Sequence, residues 1–140
     1  MIKENRVMSK AGIDIIKKFM SNGYKCVVKR ISFDVHDIRL ISAMPGNEDM
    51  SMRVWWYTGY VYIPKGDKFY NADIDALEDV DDFIHGGITY LENEDDCTVV
   101  GFDCNHLGDG DDYNSLDFVV PHLHAVTNIL RYANENWEEK

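Results

Sequence analysis

The sequence predicts an α+β domain in which an antiparallel sheet carries an N-terminal and a C-terminal helix packed on one face. Stretches rich in β-branched and aromatic residues lie in the middle of the chain, whereas apolar residues recur with helical spacing near both ends. Strands grouped between helices are typical of the α+β class. A length of 140 residues is usual for one domain, so we expect residues 1–140 to form a single domain.

The first predicted element is a helix over residues 10–21. Ser9 can cap its start, and Asn22 and Gly23 tolerate the left-handed backbone conformation that ends many helices. Between them the apolar side chains keep helical spacing: Ile13, Ile15, Ile16, Phe19 and Met20.

Three strands follow this helix in the predicted order. Residues 25–31 and 37–43 are rich in β-branched or aliphatic side chains and are bounded by turn-forming residues. Residues 53–63 are the strongest strand prediction because aromatic and β-branched residues dominate them, and we expect this strand at the centre of the sheet. Trp55 and Trp56 should lie on opposite faces of it, since strand side chains alternate.

A short helix and a β-hairpin are predicted next. The hairpin strands are residues 88–91 and 97–102, with residues 89–91 paired to residues 97–99 across an acidic tip at residues 92–96. In the short helix, acidic residues surround an apolar stripe formed by Ala76, Leu77, Val80, Phe83 and Ile84.

The last predicted element is a helix from about Pro121, because proline is favoured at the first helical position. His122 and His124 would point about 200° apart on this helix and so cannot chelate one ion. We expect both histidines at the surface or near the helix cap.

Charge is unevenly distributed along the chain. Residues 1–66 carry eleven basic and six acidic side chains, whereas the acidic middle segment, residues 67–117, carries sixteen acids and one base, Lys68. Such a surface repels nucleic acid and attracts basic proteins, so we expect no direct binding of nucleic acid. An excess of acid also serves solubility alone in many domains.

Export and membrane insertion are not predicted. The chain has no apolar run of about eighteen residues, and its first residues lack the pattern of a signal peptide. Cys26, Cys97 and Cys104 are an odd number without CxxC spacing, which favours free thiols in a reducing compartment. We therefore expect a cytoplasmic protein.

Metal-binding side chains are expected to meet at one end of the hairpin. One histidine precedes its first strand and three further residues follow its second strand, and antiparallel pairing brings these ends together. Imidazole, thiolate and carboxylate are the ligands that zinc prefers. We predict a zinc site at His85, Asp103, Cys104 and His106, with Asp109 as a further candidate.

Other interpretations of these residues stay open. Histidines and a buried cysteine at a strand end are commonly structural. Calcium is disfavoured, since residues 103–114 resemble an EF-hand loop only at their start and have Leu107 and Asn114 where ligands are needed. Cys104 could act as a nucleophile beside a histidine, but no HExxH or GxSxG motif is present.

Three segments resemble the motifs of a family of small phage- and prophage-encoded proteins. They are GYVYIPKG at residues 59–66, HGGITY at residues 85–90 and GFDCNHLGD at residues 101–109, against a family pattern of GYVxxPKG, HGGxTY and GFDCxHxGD. The resemblance covers about half of the chain and brings no established activity. It implies a mobile-element origin, so that the expected cytoplasm is that of the host bacterial cell, and it groups the five candidate metal ligands as one unit.

Small acidic proteins of such mobile elements often inhibit host defence, so the resemblance favours an inhibitor of the anti-CRISPR type, without catalysis of its own. Its acidic surface would block the basic nucleic-acid groove of a CRISPR effector nuclease, with the metal in a structural role. Two alternatives stay open: a metal-dependent hydrolase of a small phosphorylated or nucleotide-like substrate, and a sponge for a defence signalling nucleotide. The expected nuclease contacts are Asp75, Glu78, Asp79, Asp81 and Asp82.

Overall fold

The computed structural model describes residues 8–35, 52–104 and 114–136. Within them, one antiparallel sheet carries two helices on one face, which confirms the predicted α+β class. Neither described helix has the length and apolar character needed to cross a membrane. The strands are β1 (Met8–Ser21), β2 (Tyr24–Val35), β3 (Met52–Pro64), β4 (Tyr90–Asn93) and β5 (Cys97–Asp103), and the helices are α1 (Glu78–Phe83) and α2 (Leu116–Glu135).

The predicted N-terminal helix over residues 10–21 is wrong, because these residues form β1, which pairs antiparallel with β2. Asn22 and Gly23 are the two-residue turn of this hairpin, with φ angles of 51° and 88°. Positive φ at both central residues gives the backbone twist that suits a hairpin, and Asn-Gly is the strongest short-range signal for such a turn. The two residues that were expected to end a helix therefore reverse the direction of the chain between two strands.

The strands lie in the order β1-β2-β3-β5-β4. β3 is central, as predicted for residues 53–63, and residues 25–31 lie in β2, also as predicted. Trp55 and Trp56 occupy successive positions of β3 and so lie on opposite faces of the sheet. The predicted strand over residues 37–43 lies outside the described residues.

β4 and β5 form the predicted hairpin, but the predicted register is wrong. Tyr90 pairs with Gly101 and Asn93 pairs with Thr98, so the first strand both begins and ends two residues later than the predicted residues 88–91. The Thr98 hydroxyl donates to Asn93 Oδ1 at 2.6 Å, and the Glu94 amide donates to the carbonyl oxygen of Cys97 at 2.8 Å. These bonds close a short turn and fix the register that side-chain composition alone left open.

α2 packs on one face of the sheet, and α1 lies against α2 and adds its apolar side chains to the same core. Leu77, Val80 and Ile84 from the predicted stripe are buried there, whereas Ala76 and Phe83 are exposed. α2 begins before the predicted start at Pro121, because Ser115 caps it by accepting a hydrogen bond from the Phe118 amide at 3.3 Å. The core they share with the sheet includes Cys26, Val28, Val61, Ile63, Val100 and Phe102 from the strands and Val119, Leu123, Val126 and Leu130 from α2.

Two glycines make room for aromatic rings across β3 and β5. Gly59 pairs with Phe102, and Tyr60 pairs with Gly101. A Cβ atom on Gly59 would lie 2.9 Å from Phe102 Cζ, and one on Gly101 would lie 2.6 Å from Tyr60 Cδ1. Phe102 lies on the face that the helices cover, and Tyr60 lies on the opposite face, which we call the open face. The glycines of two of the three motifs thus have a packing role.

Candidate functional site

A surface of exposed carboxylates, which we call the acidic flank, lies along the turn before α1 and along α1 itself. Leu77 and Val80 are buried between its members on either side, whereas Ile74 and Ala76 are exposed together with the acids. Within the described part of the chain, none of these acids forms an ion pair. The acidic flank consists of Asp73, Asp75, Glu78, Asp79 and Asp82.

The acidic flank is fixed to the sheet on its N-terminal side. The backbone amide of Asn71 donates to the Thr98 hydroxyl at 2.6 Å. The side-chain amide of Asn93 donates to the carbonyl oxygen of Ala72 at 3.2 Å. Leu77 and Val80, each 1% exposed, anchor its middle in the core. The carboxylates are therefore presented by a backbone that is already ordered.

Asp81 differs from the other predicted partner contacts. It is half-buried, and its Oδ1 atom accepts a hydrogen bond from the Ile88 amide at 2.8 Å. This bond spans Gly86 and Gly87, both of which have a φ angle of 82°. Asp81 therefore holds the connection between α1 and β4, while the remaining predicted contacts, Asp75, Glu78, Asp79 and Asp82, are exposed.

A second acidic group, the hairpin tip, consists of Glu94, Asp95 and Asp96, all exposed. The Tyr70 hydroxyl lies within hydrogen-bond distance of the carbonyl oxygens of Glu94 and Asp95, at 3.2 and 2.7 Å. Through Tyr70 the tip is tied to the segment that leads into the acidic flank.

His122 lies in an aromatic cluster, so its expected place at the surface is wrong. Its ring stacks on Phe83 and Phe118, with centroids 4.8 and 4.7 Å away, and meets Phe102 edge-on. His122 Nε2 accepts a hydrogen bond from the His85 amide at 3.2 Å. Burial, and secondarily the nearby His85, lower the pKa of His122, which favours the neutral ring with its proton on Nδ1.

His124 points away from this cluster, as the helical geometry predicted. Its Nδ1 lies 2.6 Å from the hydroxyl of Ser21, and its ring packs on Phe19 of β1. The two histidines therefore join α2 to different parts of the fold and do not form a chelating pair.

Three of the four predicted zinc ligands lie among the described residues. Cys104 is 5% exposed in the core and its amide donates to the carbonyl oxygen of Tyr57, whereas Asp103 pairs with Thr58 at the end of β5. His85 packs edge-on against Phe118. No group of three or more His, Cys, Asp or Glu side chains suited to a metal occurs within the described ranges. His106 and Asp109 lie outside those ranges, so the zinc site stays a prediction.

The side chains of the open face were not predicted from the sequence as a functional surface. Lys25 lies over the ring of Tyr62 and Lys29 lies over the ring of Tyr60, with ammonium-to-centroid distances of 4.7 and 4.9 Å. Tyr90 meets Tyr60 edge-on with centroids 5.6 Å apart. The signal was the alternation of Lys25, Val27 and Lys29 in a strand, which places these residues on one face.

No protein-family model matches the chain, and no curated protein or solved structure matches it either. Function is therefore inferred from the surfaces that the chain presents.

Proposed function

We propose that this protein is a phage-encoded inhibitor of the anti-CRISPR type, which acts in the host cytoplasm by placing its acidic flank in the basic nucleic-acid groove of a CRISPR effector nuclease. The observation that supports this proposal is the set of exposed carboxylates on an anchored backbone. No cation pairs with these acids within the described part of the chain. A protein partner rich in lysine and arginine would supply the missing counter-charge.

The density of negative charge on the acidic flank is of the same order as that of DNA. Glu78, Asp79 and Asp82 of α1 lie within roughly 6 Å along the helix axis, at the ~1.5 Å rise per residue of a helix. Duplex DNA presents about three to four phosphate charges over that length, at one per ~1.7 Å of axis. The three carboxylates of α1 provide a comparable array. A groove that binds phosphates can therefore accept these carboxylates in their place.

Association with such a groove should be fast and sensitive to salt. Complementary charge raises the rate of encounter, and this contribution falls as ionic strength rises. Because the backbone of the acidic flank is fixed by the contacts of Asn71, Ala72, Leu77 and Val80, little conformational entropy is lost on binding.

Displacement of a fluorescent DNA duplex from purified CRISPR effector nucleases tests this proposal. The wild-type protein should displace the duplex from at least one nuclease of a panel. The triple variant Glu78→Lys, Asp79→Lys, Asp82→Lys should lose about tenfold or more in apparent affinity, since each reversal places a cation against a basic groove.

The matched control changes the net charge by the same amount at the hairpin tip, with Glu94→Lys, Asp95→Lys and Asp96→Lys. This control should retain more activity than the variant of the acidic flank, and circular dichroism should show both variants folded. Equal loss of affinity in the two variants would show that the net charge of the protein, and not the position of the acidic flank, causes the displacement of DNA. Displacement that survives reversal of the acidic flank, or none by the wild-type protein from any nuclease of the panel, would overturn the proposal.

A structural zinc at His85, Asp103, Cys104 and His106 is a separate part of this proposal. Native mass spectrometry of protein purified without chelator or an affinity metal should show one zinc per chain. His85→Ala and Cys104→Ala should lose it, whereas Cys97→Ser, a change at the half-buried free thiol of the hairpin, should keep it. If the wild-type protein is folded and contains no metal, the proposed zinc site is wrong. The proposal for the acidic flank is unaffected, because the displacement experiment tests it separately.

A further inference from the structure

The open face carries large apolar side chains that are exposed to solvent. Ile13, Ile15 and Met20 of β1 are 65%, 55% and 64% exposed. Their pairing partners in β2 are Ile31, Lys29 and Lys25, and Ile31 in turn pairs with Trp56 of β3. Scattered apolar side chains are normal on a surface, but a contiguous group that also includes Trp56, Tyr60 and Tyr62 is typical of an interface.

Charges on the open face are sorted by strand. The lysines lie on the two strands at one side of the sheet, Lys18 on β1 and Lys25 and Lys29 on β2. The acids lie on the two strands at the other side, Glu92 on β4 and Asp103 on β5. Between them β3 contributes aromatic side chains. The open face therefore has a cationic side and an anionic side separated by an apolar centre.

The strand register places these residues in rows across the sheet. One row contains Met20, Lys25, Tyr62, Val99 and Glu92. The row that contains Lys29 continues through Thr58 of β3 to Asp103 of β5. In each row the lysine and the acid lie on opposite sides of β3.

We infer that two copies of this chain associate through their open faces about a two-fold axis that runs parallel to the strands and passes through β3. Rotation about this axis leaves the position of each row along the strands unchanged and reverses the order of the strands within the row. β1 and β2 of each copy then lie over β4 and β5 of the other, so Lys29 faces Asp103 and Met20 faces Glu92, with Lys25 beside it. Aligned packing of two sheets in this way is one of the two common modes.

Charge selects this axis over the alternative. A two-fold axis perpendicular to the strands would place β1 over β1 and β2 over β2, which brings the lysines of the two copies together. Like charges in apposition oppose association, whereas the axis parallel to the strands pairs lysine with acid in both halves of the interface. The apolar centre formed by Trp56, Tyr60 and Tyr62 would be covered in either case.

The overlap of the two open faces is large enough for a specific dimer. With this axis the four residues of β4 and the seven of β5 in each copy lie against β1 and β2 of the other, and the thirteen residues of β3 lie against their own counterpart. At ~3.3 Å per residue along a strand and ~4.8 Å between strands, each partner covers roughly 550 Å². The total of about 1,100 Å² exceeds the ~1,000 Å² expected of a specific interface. The acidic flank lies on the other side of the sheet, so a dimer formed through the open faces leaves the acidic flank exposed. The inferred dimer therefore does not depend on the function proposed for the acidic flank.

Single-stranded nucleic acid is the competing occupant, since tyrosines beside lysines are also suited to stacking bases. The net charge of −11 and the aliphatic residues Ile13, Ile15 and Met20 favour a second copy of the chain instead.

Sedimentation equilibrium of the full chain tests the dimer. The wild-type protein should show twice the chain mass of 16.2 kDa, and Met20→Glu, which places a second carboxylate against Glu92 of the other copy, should shift it to the monomer. Lys25→Glu and Glu92→Lys should each weaken association about tenfold or more, and the double variant should recover most of the loss. The matched control is Lys17→Glu, an exposed lysine of β1 that pairs with the core residue Val28 on the other face; it should leave the mass unchanged.

Two outcomes would overturn the inference. One is a wild-type protein that remains at the mass of a single chain up to ~1 mM, where even a contact of about −4 kcal/mol would be populated. The other is a dimer that is insensitive to Met20→Glu and Lys25→Glu. A monomer that binds a labelled thymidine oligonucleotide, and loses it with Lys25→Glu, would assign the open face to nucleic acid.

Discussion

Gly101 and Tyr60 show how the absence of one side chain positions another. The Tyr60 ring lies across Gly101 on the open face, and the Phe102 ring lies beside Gly59 on the helix face. Each glycine faces an aromatic ring of the neighbouring strand, and the two pairs share adjacent positions of β3 and β5. Both rings occupy space that a side chain at Gly59 or Gly101 would fill.

Gly101→Ala should therefore destabilise the fold by about 1–3 kcal/mol, because overpacking forces the ring or the backbone to move. The new Cβ atom would also lie 3.1 Å from the carbonyl oxygen of Gly59, which cannot move without disturbing the sheet. Urea denaturation followed by fluorescence measures the change. The control Gly12→Ala, whose Cβ atom would meet a single side-chain atom, Ser32 Oγ at 3.3 Å, should cost less than Gly101→Ala. An equally stable Gly101→Ala protein would contradict the packing role of the glycine.

His122 should make stability depend on pH. The folded state lowers the pKa of His122, so the unfolded chain takes up its proton first as the solution becomes acidic. The contribution of His122 to the free energy of unfolding is fully present above the pKa of the unfolded chain, ~6.5. It falls as the pH decreases below that value and stops falling once the pH is below the pKa of the folded state. Urea midpoints between about pH 7.5 and 5 should show this decrease, and His122→Gln should reduce it. The same slope in His122→Gln would assign the effect to other groups.

Among the elements, the connection between α1 and β4 depends on Asp81 more than on any helix propensity. α1 has only six residues and no side-chain cap at its start. Its position comes from the burial of Leu77, Val80 and Ile84 and from the bond between Asp81 and the Ile88 amide.

Asp81→Ala should cost about 1–2 kcal/mol, since a half-buried amide loses its charged acceptor. The neighbouring exposed acid gives a matched control, and Asp82→Ala should stay within about 0.5 kcal/mol of the wild type. Thermal unfolding of both variants compares the two positions directly. If Asp82→Ala proved the more damaging change, the assigned role of Asp81 would be wrong.

Sequence patterns predicted elements where one signal dominated. Aromatic and β-branched residues located β3, and turn residues around an acidic tip located the β4-β5 hairpin. β1 was missed because its isoleucines fit helical and strand spacing alike, so only the turn at Asn22 and Gly23 could decide, and both structures tolerate that pair. The hairpin register could not be predicted because it depends on the bond between Asn93 and Thr98.

At the scale of the whole molecule, the uneven charge of the sequence becomes a spatial arrangement. Lysines of the N-terminal half lie on β1 and β2, whereas the acids of the middle segment lie on α1, the hairpin tip and β4. The acidic flank could be predicted from composition, because dense like charges cannot be buried. The open face could not, since its grouping of lysines, tyrosines and isoleucines depends on the pairing of strands that are far apart in sequence.

β1 is the outermost strand of the described sheet, and its length of 14 residues makes it a template on which a further strand could add. Its register against β2 shifts between Ile15 and Lys17, where a β-bulge interrupts the regular ladder, and Lys17 and Lys18 follow directly. A local twist and two charges at the same point oppose the growth of intermolecular β-structure. Removing both lysines would leave residues 15–21 without a charge, and the protein would then be prone to aggregate during refolding.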